Sequence, residues 1–372
     1  MNHSDKHDAI RKNVRAFIAA ERTAGRIRAG QSWTTFDRDF SIRCADQGYI
    51  GMTWPKMFGG HDRSPEERYV VIEELLAAGA PLGSHWIADR QSGPQILRNG
   101  TEHLKHLVLP QIAAGRCTIG IGMSEPDSGS DLSSIRTSAT KVDGGWVLEG
   151  RKIWTTNAHH ADYLIVLCRT SPKSEDRNAG LSQLVVPLEN KGVTVRPITN
   201  MAGVDEFNEV LFENCFVDEE HLLGEPGQGW RLVMEELSFE RSGPDRILST
   251  FPMLSMLSSY IARDPDRHAT IELGRLVGRL HSVRSLSLEI NQALGRHEDV
   301  GQKATMMKDI GTTLEQDIAE VSRRLIDLSP RQDGDDLTTT LASAILNAPS
   351  FSLRGGTREI LKGIVARHLG LR

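Results

Sequence analysis

The stretch that decides the fold is Ile121-Gly-Met-Ser-Glu-Pro-Asp-Ser-Gly-Ser-Asp131, and a second stretch, Gly150-Arg-Lys-Ile-Trp-Thr-Thr-Asn157, follows soon after it. Each is the end of a predicted strand that runs into a turn, and the two turns together are rich in Gly, Ser, Thr and carboxylates. Such strand ends bring main-chain N–H groups and short hydroxyls together, which suits a polar ligand. Ordinary β-turns share this composition, so the rest of the chain must decide between the two interpretations.

Bulk composition narrows the class of protein. The 372 residues exceed one typical domain, so two or three folding units are expected. A net charge of −5 offers no basic field for nucleic acid. The four cysteines lack CxxC spacing and are expected to be reduced, mostly buried thiols rather than metal ligands. With no signal-peptide core and no apolar segment of membrane-spanning length, the sequence predicts a cytoplasmic protein without membrane insertion.

Helical spacing of apolar residues dominates the first third of the chain. Ser64-Pro-Glu-Glu67 is typical of a helix start, because Ser suits the cap, Pro the first helical position and carboxylates the positive end of the dipole. Further helices are expected over residues 8–24, 34–48, 93–99 and 101–114.

At Cys117 the period changes from about 3.6 to about 2. Short apolar runs separated by Gly, Asn and Asp follow, and they predict an antiparallel β-barrel or sandwich. These runs cover residues 118–123, 135–142, 146–155, 163–169, 181–187, 193–198 and 209–217.

Long helical patterns resume after the linker Gly224-Glu-Pro-Gly-Gln-Gly229 and predict a C-terminal four-helix bundle. They cover residues 230–241, 245–262, 271–294 and 304–328. The predicted fold class is therefore α+β. Its domains are an N-terminal helical domain (1–117), a middle β domain (118–225) and a C-terminal helical bundle (226–372).

This layout, together with Ser124-Glu-Pro-Asp-Ser-Gly-Ser-Asp131, then Ile135-Arg-Thr137 and Lys152-Ile-Trp-Thr-Thr-Asn157 in that order, resembles the acyl-CoA dehydrogenase family of flavoproteins. The resemblance covers essentially the whole chain. It implies an FAD cofactor, an acyl-CoA substrate oxidised between its α and β carbons, and an electron-transfer flavoprotein as acceptor. It also implies a homo- or hetero-tetramer, or a dimer.

The same resemblance assigns roles to individual residues. Met123 and Ser124 are expected to hold the pyrimidine edge of the flavin, and Ser130 to bind both the cofactor region and the CoA arm. Trp154 is expected against the isoalloxazine ring, with Thr156 near its N5 and O4 edge. Donors at these positions would stabilise the charge of a reduced flavin. The other cofactor contacts expected are Ile121, Thr155, Arg263 and Thr357.

The proton-accepting residue is not in its usual place. Many family members carry it in a Tyr-Glu-Gly-Thr segment near the C-terminus, where this chain has Arg354-Gly-Gly-Thr357. Gly355 retains an N–H for the thioester oxygen. A subset of the family carries the base on the helix that begins the C-terminal bundle, immediately before an Arg, and Glu240-Arg241 matches that position.

The helix pattern adds its own evidence on Glu240. Trp230, Val233, Leu237 and Glu240 fall at i, i+3, i+7 and i+10, so the carboxylate belongs to the apolar stripe of its helix. Desolvation there would raise its pKa toward that of a general base. The alternative is that Glu240 pairs with Arg241 or another charge at a subunit contact. The substrate contacts expected are Ser130, Leu237, Ser238 and Arg241.

The adenosine end of the site departs from the family. Its Arg-x-x-Phe-Gly and Gln-x-x-Gly-Gly segments are absent, with Arg263 or Arg267 as the nearest replacement for the first. The region of the second is an acidic loop, 327–336, which would repel a pyrophosphate. Three alternatives stay open. The chain is a stand-alone dehydrogenase; or it is a non-catalytic or half-catalytic subunit with an incomplete FAD site whose bundle serves assembly, in which case Glu240 makes it the base-bearing member of a mixed oligomer; or it is a relative performing another flavin oxidation or an enoyl-CoA reduction.

Overall fold

The computed structural model of the chain describes residues 3–241, 243–296, 298–327 and 334–371, and only the backbone of residues 3–5 and 238–240. Its elements follow the predicted order of helices, strands and helices. The first helices are α1 (His3–Thr23), α2 (Arg38–Asp46), α3 (Pro65–Ala77), α4 (Gly93–Asn99) and α5 (Glu102–Ala113). The predicted start of α3 is confirmed, since Ser64 Oγ accepts the Glu67 N–H at 3.2 Å and a Glu67 oxygen accepts the Ser64 N–H at 3.0 Å.

The described strands form one eight-stranded sheet in the order β6-β7-β3-β2-β4-β5-β8, with β1 paired to β4. The strands are β1 (Ile119–Gly122), β2 (Ser138–Val142), β3 (Gly145–Lys152), β4 (Tyr163–Arg169), β5 (Leu181–Pro187), β6 (Val193–Thr199), β7 (Asp205–Asp218) and β8 (Leu222–Leu223). Each predicted apolar run overlaps one of the first seven strands, but β3, β6 and β7 extend beyond their runs, β7 by four residues at its start.

The prediction of purely antiparallel pairing is wrong for β1. This strand runs parallel to β4, with Ile119 opposite Tyr163, and one further parallel pair joins Ser138 of β2 to Arg169 of β4. A period of two reports which side of a strand is buried and not the direction of its neighbour. A parallel partner needs a long crossover, and here β2 and β3 lie between β1 and β4 along the chain.

Side chains of β2, β3, β4, β5 and β7 fill one core of the sheet, which includes Trp146, Phe212 and the thiols of Cys168 and Cys215. All four cysteines are free and buried, as predicted. Burial raises the pKa of Cys168 to about 12. This thiol is therefore protonated at neutral pH and serves as packing.

The last helices are α6 (Gly229–Arg241), α7 (Asp245–Leu248), α8 (Phe251–Arg263), α9 (Arg267–Gly295), α10 (Gly301–Leu325), α11 (Asp336–Phe351) and α12 (Arg358–His368). The stretch 245–262, predicted as one helix, is divided between α7 and α8. Pro252 lies in the first turn of α8, where its missing N–H costs nothing. The described C-terminal part thus has more helices than the predicted four, and α10 contacts α7, α8, α9, α11 and α12.

By its internal contacts the chain forms two compact units. We call residues 36–62 and 82–239 the sheet unit, and residues 1–35, 63–81 and 240–372 the helical unit. The early helices are divided between them, with α1 and α3 in the helical unit. The three-domain division predicted from the sequence follows chain order and stays a prediction. Within the described residues, no helix combines the length and apolarity that crossing a membrane requires.

Candidate active site

The turn after β1 is held by its own hydrogen bonds. Main-chain bonds join Glu125 and Ser128 in both directions, at 2.8 and 3.0 Å. Ser128 Oγ donates to the carbonyl of Asp131. The Asp131 carboxylate accepts the hydroxyls of Ser134 and Ser133 at 2.6 and 2.7 Å, and these bonds, together with a bond from Arg177, lower its pKa to about 2. The turn therefore has a defined shape before any ligand arrives.

A buried ion pair joins this turn to the end of β3. Lys152 is fully buried, and its Nζ donates to Met123 O and to Glu125 Oε1, both at 2.9 Å. The Glu125 carboxylate also accepts the main-chain N–H groups of Arg136 and Thr137, at 2.7 and 2.9 Å. Buried charges are tolerated only when paired and hydrogen-bonded, and these are both. The buried Lys152 thus connects the second sequence stretch to the first.

Burial and pairing act in opposite directions on the two charges. Burial alone would raise the pKa of Glu125, but Lys152 and the N–H donors bring the pKa below its ordinary value. Burial lowers the pKa of Lys152, and the attraction of Glu125 opposes this. A carboxyl group with a lowered pKa is ionised at neutral pH, so Glu125 presents a charge to Lys152.

The end of β3 has an unusual backbone. Ile153 N–H donates to Ser124 O at 2.9 Å, and Thr155 exchanges bonds of 3.1 and 2.9 Å with Asn208. Between these anchors, Trp154 has a φ of +60° and leaves 58% of its surface exposed. Bulky residues adopt positive φ only where their surroundings over-determine it, and such strain clusters at functional sites. The backbone here aims a large aromatic ring at solvent.

Three hydroxyl groups of the predicted site have no hydrogen-bond partner among the described residues. Within the described part of the chain, those of Ser124, Ser130 and Thr156 form no hydrogen bond, whereas nearby Ser128 is engaged. Ser124 and Thr156 are half-buried and Ser130 is exposed. Thr155 Oγ1 is buried without a partner among the described residues. Free donors beside an exposed aromatic ring fit a planar, hydrogen-bonding ring system such as a flavin.

The apolar stripe predicted on α6 is present as far as the side chains are described. Val233 is buried in a cluster with Ile135, and Trp230 and Leu237 pack against that cluster. Met123, from the first stretch, contacts the same cluster. The stripe therefore docks α6 on the sheet within the sheet unit.

Glu240 follows one turn after Leu237 in the backbone of α6, but its side chain and that of Ser238 lie outside the described residues. Its place on a buried face therefore stays a prediction. The neighbouring Arg241 is only 7% exposed, and its Nε donates to Gly355 O at 3.3 Å. Within the helical unit this bond joins the end of α6 to the turn at 354–357.

That turn is glycine-dependent, since Gly355 and Gly356 have φ values of +66° and +94°. Lys308, fully buried on α10, donates from Nζ to Gly356 O. The N–H of Gly355 donates to no group in the described part of the chain. Thr357 caps α12 by accepting the Ile360 N–H. The carbonyls of Gly355 and Gly356 therefore accept hydrogen bonds from the protein, while the Gly355 N–H is available to a ligand.

The sequence reasoning missed a buried chain of polar groups in the sheet unit. Gln95 Nε2 donates to Gln183 Oε1 at 3.2 Å and to Leu232 O at 3.0 Å. Gln183 Nε2 donates to Glu236 Oε2 at 3.1 Å, and Glu236 is 2% exposed. The only available signal was that Glu236 falls beside Val233 on the buried side of α6. The sequence analysis also missed the buried charges Lys308 and Glu315 of α10, because charged residues are expected on the surface of a helix.

At the predicted adenosine end, Arg263 closes α8 and Arg267 begins α9, and both are exposed. Residues 328–333 of the predicted acidic loop lie outside the described residues, and Asp335 caps α11. Of the predicted site residues, one group belongs to the sheet unit and the other to the helical unit. The first group is Ile121, Met123, Ser124, Ser130, Trp154, Thr155, Thr156, Leu237 and Ser238; the second is Glu240, Arg241, Arg263, Gly355 and Thr357.

Two family models match the N-terminal and middle parts of the chain. The model described as acyl-CoA dehydrogenase, N-terminal domain, matches residues 4–116, and the middle-domain model of the same family matches residues 120–215. The chain belongs to the acyl-CoA dehydrogenase family. This is a family of flavoproteins, which agrees with the free hydroxyls and exposed ring at the ends of β1 and β3.

Relatives and solved structures agree with that membership. The chain is 36% identical to acyl-CoA dehydrogenase IpdE1 of Mycobacterium tuberculosis over 63% of each chain. It is 32% identical to acyl-CoA dehydrogenase FadE34 of the same species over 88% of this chain and 45% of that one. It therefore spans less than two thirds of either relative. A solved Tcur3481-Tcur3483 steroid ACAD superimposes with a TM-score of 0.88 at 25% identity, covering 99% of this chain and 97% of the other.

Proposed function

We propose that the protein is an FAD-dependent acyl-CoA dehydrogenase, which oxidises the α,β bond of an acyl-CoA thioester. One observation carries the proposal: the strained, exposed Trp154 lies between anchored main-chain segments, while the Ser124 and Thr156 hydroxyls are uncommitted. FAD, when bound, supplies the acceptor for the hydride that leaves the β carbon. Trp154 would cover the ring face, and the two hydroxyls would donate to its polar edge.

The thioester needs two further groups from this chain. The α proton is weakly acidic, so a carboxylate must accept it while donors polarise the thioester carbonyl. We assign the proton to the Glu240 carboxylate and the carbonyl contact to the Gly355 N–H, which no described residue occupies. Ser130, exposed and uncommitted, is assigned to the CoA arm, and Leu237, Ser238 and Arg241 to the substrate's surroundings.

The substrate class follows from the same proposal. A solved structure that covers 99% of this chain carries the name steroid ACAD, and this chain lacks the C-terminal glutamate of many family members. We therefore propose a bulky or ring-bearing acyl group. Electrons would pass to an electron-transfer flavoprotein, and the active protein would be a homo- or hetero-tetramer or a dimer.

A panel of acyl-CoA thioesters tests the function directly. The purified chain is expected to be yellow and to lose its flavin absorbance with at least one thioester, with ring-bearing acyl groups reducing it faster than straight chains. Glu240→Gln is expected to keep the flavin and slow this reduction by about 100- to 10,000-fold. Glu235→Gln, which removes a half-buried carboxylate paired with Arg231 on the same helix, is the control. If the flavin of Glu240→Gln is reduced at the wild-type rate, Glu240 is not the base.

A second candidate is the base-bearing subunit of a mixed oligomer, in which a partner completes the FAD site. The exposed positions of Arg263 and Arg267 and the absence of the family's two nucleotide segments favour it. Such a chain would be colourless when purified alone and yellow when co-purified with its partner. Full flavin content in the isolated chain would exclude this candidate.

A further inference from the structure

A second buried charge cluster lies in the helical unit, around Glu315 of α10. Glu315 is fully buried, and its Oε1 accepts the main-chain N–H of Ser249 at 2.7 Å. Its Oε2 accepts no hydrogen bond from any described residue and lies 3.9 Å from Nη2 of Arg354. Arg354 immediately precedes Gly355, so this carboxylate acts on the first residue of the turn at 354–357.

The Arg354 side chain is held on several sides. Its Nη2 donates to Ser249 Oγ at 3.1 Å, and its guanidinium lies 4.9 Å from the Trp33 ring centre and 4.7 Å from that of Phe351. Ser249 Oγ also accepts Trp33 Nε1 at 3.0 Å and donates to Asp245 O at 2.7 Å. Ser249 therefore connects Glu315 and Arg354 through its N–H and its hydroxyl.

Two other cations bind the glycine carbonyls of this turn. Lys308 lies two helical turns before Glu315 on α10 and donates to Gly356 O. Arg241 donates to Gly355 O at 3.3 Å. Both glycine carbonyls are thus fixed, and the Gly355 N–H remains free among the described residues. Arg241 and Lys308 thus bind the two glycine carbonyls, and the Glu315–Arg354 pair lies at the first residue of the turn.

We propose that Glu315, acting through Ser249 and Arg354, is a positioning residue for the Gly355 N–H. The inference rests on the proposed function, in which this N–H polarises the thioester carbonyl. Such a donor is effective only when it is fixed before the reaction, and misplacement by about 1 Å costs about 100-fold in rate. A glycine pair has little stiffness of its own, so the neighbouring side chains must supply it.

The strength of this hold depends on the charge of Glu315. Burial raises the pKa of Glu315 to about 7, Arg354 and the Ser249 bond oppose the rise, and Asp245 of α7 adds to it. Asp245 itself lies 3.2 Å from Arg246. Ionised Glu315 attracts Arg354, whereas protonated Glu315 does not. The turn is therefore held most firmly above about pH 7.

Hydrogen exchange of the flavin-loaded, substrate-free protein tests the positioning without any turnover. Glu315→Gln keeps the shape of the side chain and removes its charge. At pH 8 the amides of residues 351–358 are expected to exchange about tenfold faster in this variant than in the wild type. Glu320→Gln, an exposed glutamate on the same helix, is the matched control and should leave exchange unchanged. Arg354→Lys should increase the exchange of the same amides. It replaces Glu315→Gln in the test if that variant does not fold.

The rate of flavin reduction gives the second readout. Glu315→Gln is expected to lower kcat by about 10- to 100-fold with KM changed less than about twofold, and to remove an inflection near pH 7 that the wild type and Glu320→Gln retain. Unchanged exchange together with an unchanged pH profile would overturn the positioning role. A wild type that no thioester reduces, with faster exchange in Glu315→Gln, would defeat the proposed function and leave the positioning role standing.

Discussion

Each unit contains a buried glutamate beside a cation, and the two glutamates differ in their distance from that cation and in the number of N–H groups they accept. In the sheet unit, Glu125 lies 2.9 Å from Lys152 and accepts two main-chain N–H groups. In the helical unit, Glu315 lies 3.9 Å from Arg354 and accepts one. The pKa of Glu125 lies below its ordinary value, whereas that of Glu315 rises to about 7.

The comparison shows that a nearby cation alone does not keep a buried carboxylate ionised. Burial raises the pKa of both groups, and what differs is the number and closeness of the donors that offset it. One oxygen of Glu315 lacks any hydrogen bond among the described residues. The flavin end of the proposed site is therefore held by a permanent charge pair, and the Gly355 turn by a pair that titrates.

The two groups also make opposite contributions to stability as pH changes. The lowered pKa of Glu125 adds to the free energy of unfolding above about pH 4.5, and this contribution is lost as pH falls through the folded-state pKa. The raised pKa of Glu315 adds to it below about pH 4.5, and this contribution is lost as pH rises toward 7.

The largest effect is expected from Lys152→Met. This change leaves the Glu125 charge buried without its cation, which typically costs about 3–5 kcal/mol. Urea unfolding should report this loss, and the turn after β1 should lose its flavin as its support disappears. Arg151→Met, the neighbouring residue on β3 with an exposed pair to Glu209, should change the free energy of unfolding by less than about 1 kcal/mol. Equal effects of the two variants would mean that the buried pair is not the support.

A smaller effect is expected from Glu315→Gln on the pH dependence of stability. In the wild type, the Glu315 contribution falls by about 3 kcal/mol at most between pH 4.5 and pH 7. The difference in the free energy of unfolding, variant minus wild type, should therefore increase steadily across this window. Urea unfolding at half-unit pH steps measures it. A difference that is constant with pH would show that Glu315 has an ordinary pKa, and the contrast with Glu125 would disappear.

The sequence predicted the order of the elements because periodicity is a local property. Helical spacing and the cap at Ser64 fixed α3, and alternation placed each strand within a few residues. The direction of β1 was predicted wrongly, because its partner β4 lies more than forty residues away and alternation is the same for either direction. Pairing direction depends on the whole path of the chain.

The candidate site was predicted unevenly for a similar reason. The turns at Ser124 and Thr156 carry recognisable residue types, so their place at strand ends followed from composition. The charges behind them did not, since Lys152, Lys308 and Glu315 look like surface residues in a sequence and all are fully buried. A buried charge is identified only by its partners, and these come from distant segments of the chain.

The smallest effect is expected from Ser124→Ala. Compared with Ser128→Ala, it distinguishes a residue that contacts the flavin from a residue that stabilises the turn. Ser124 and Ser128 lie in the same turn, but only the Ser128 hydroxyl is engaged by the protein, at Asp131 O. Ser124→Ala should therefore raise the flavin dissociation constant about fivefold at unchanged stability, the value of one hydrogen bond. Ser128→Ala should instead lower the free energy of unfolding by about 1 kcal/mol. Flavin titration of the apoprotein and urea unfolding measure the two quantities. If Ser124→Ala binds flavin as the wild type does, the free hydroxyl is not a flavin contact, and the Lys152–Glu125 pair supports a turn with some other purpose.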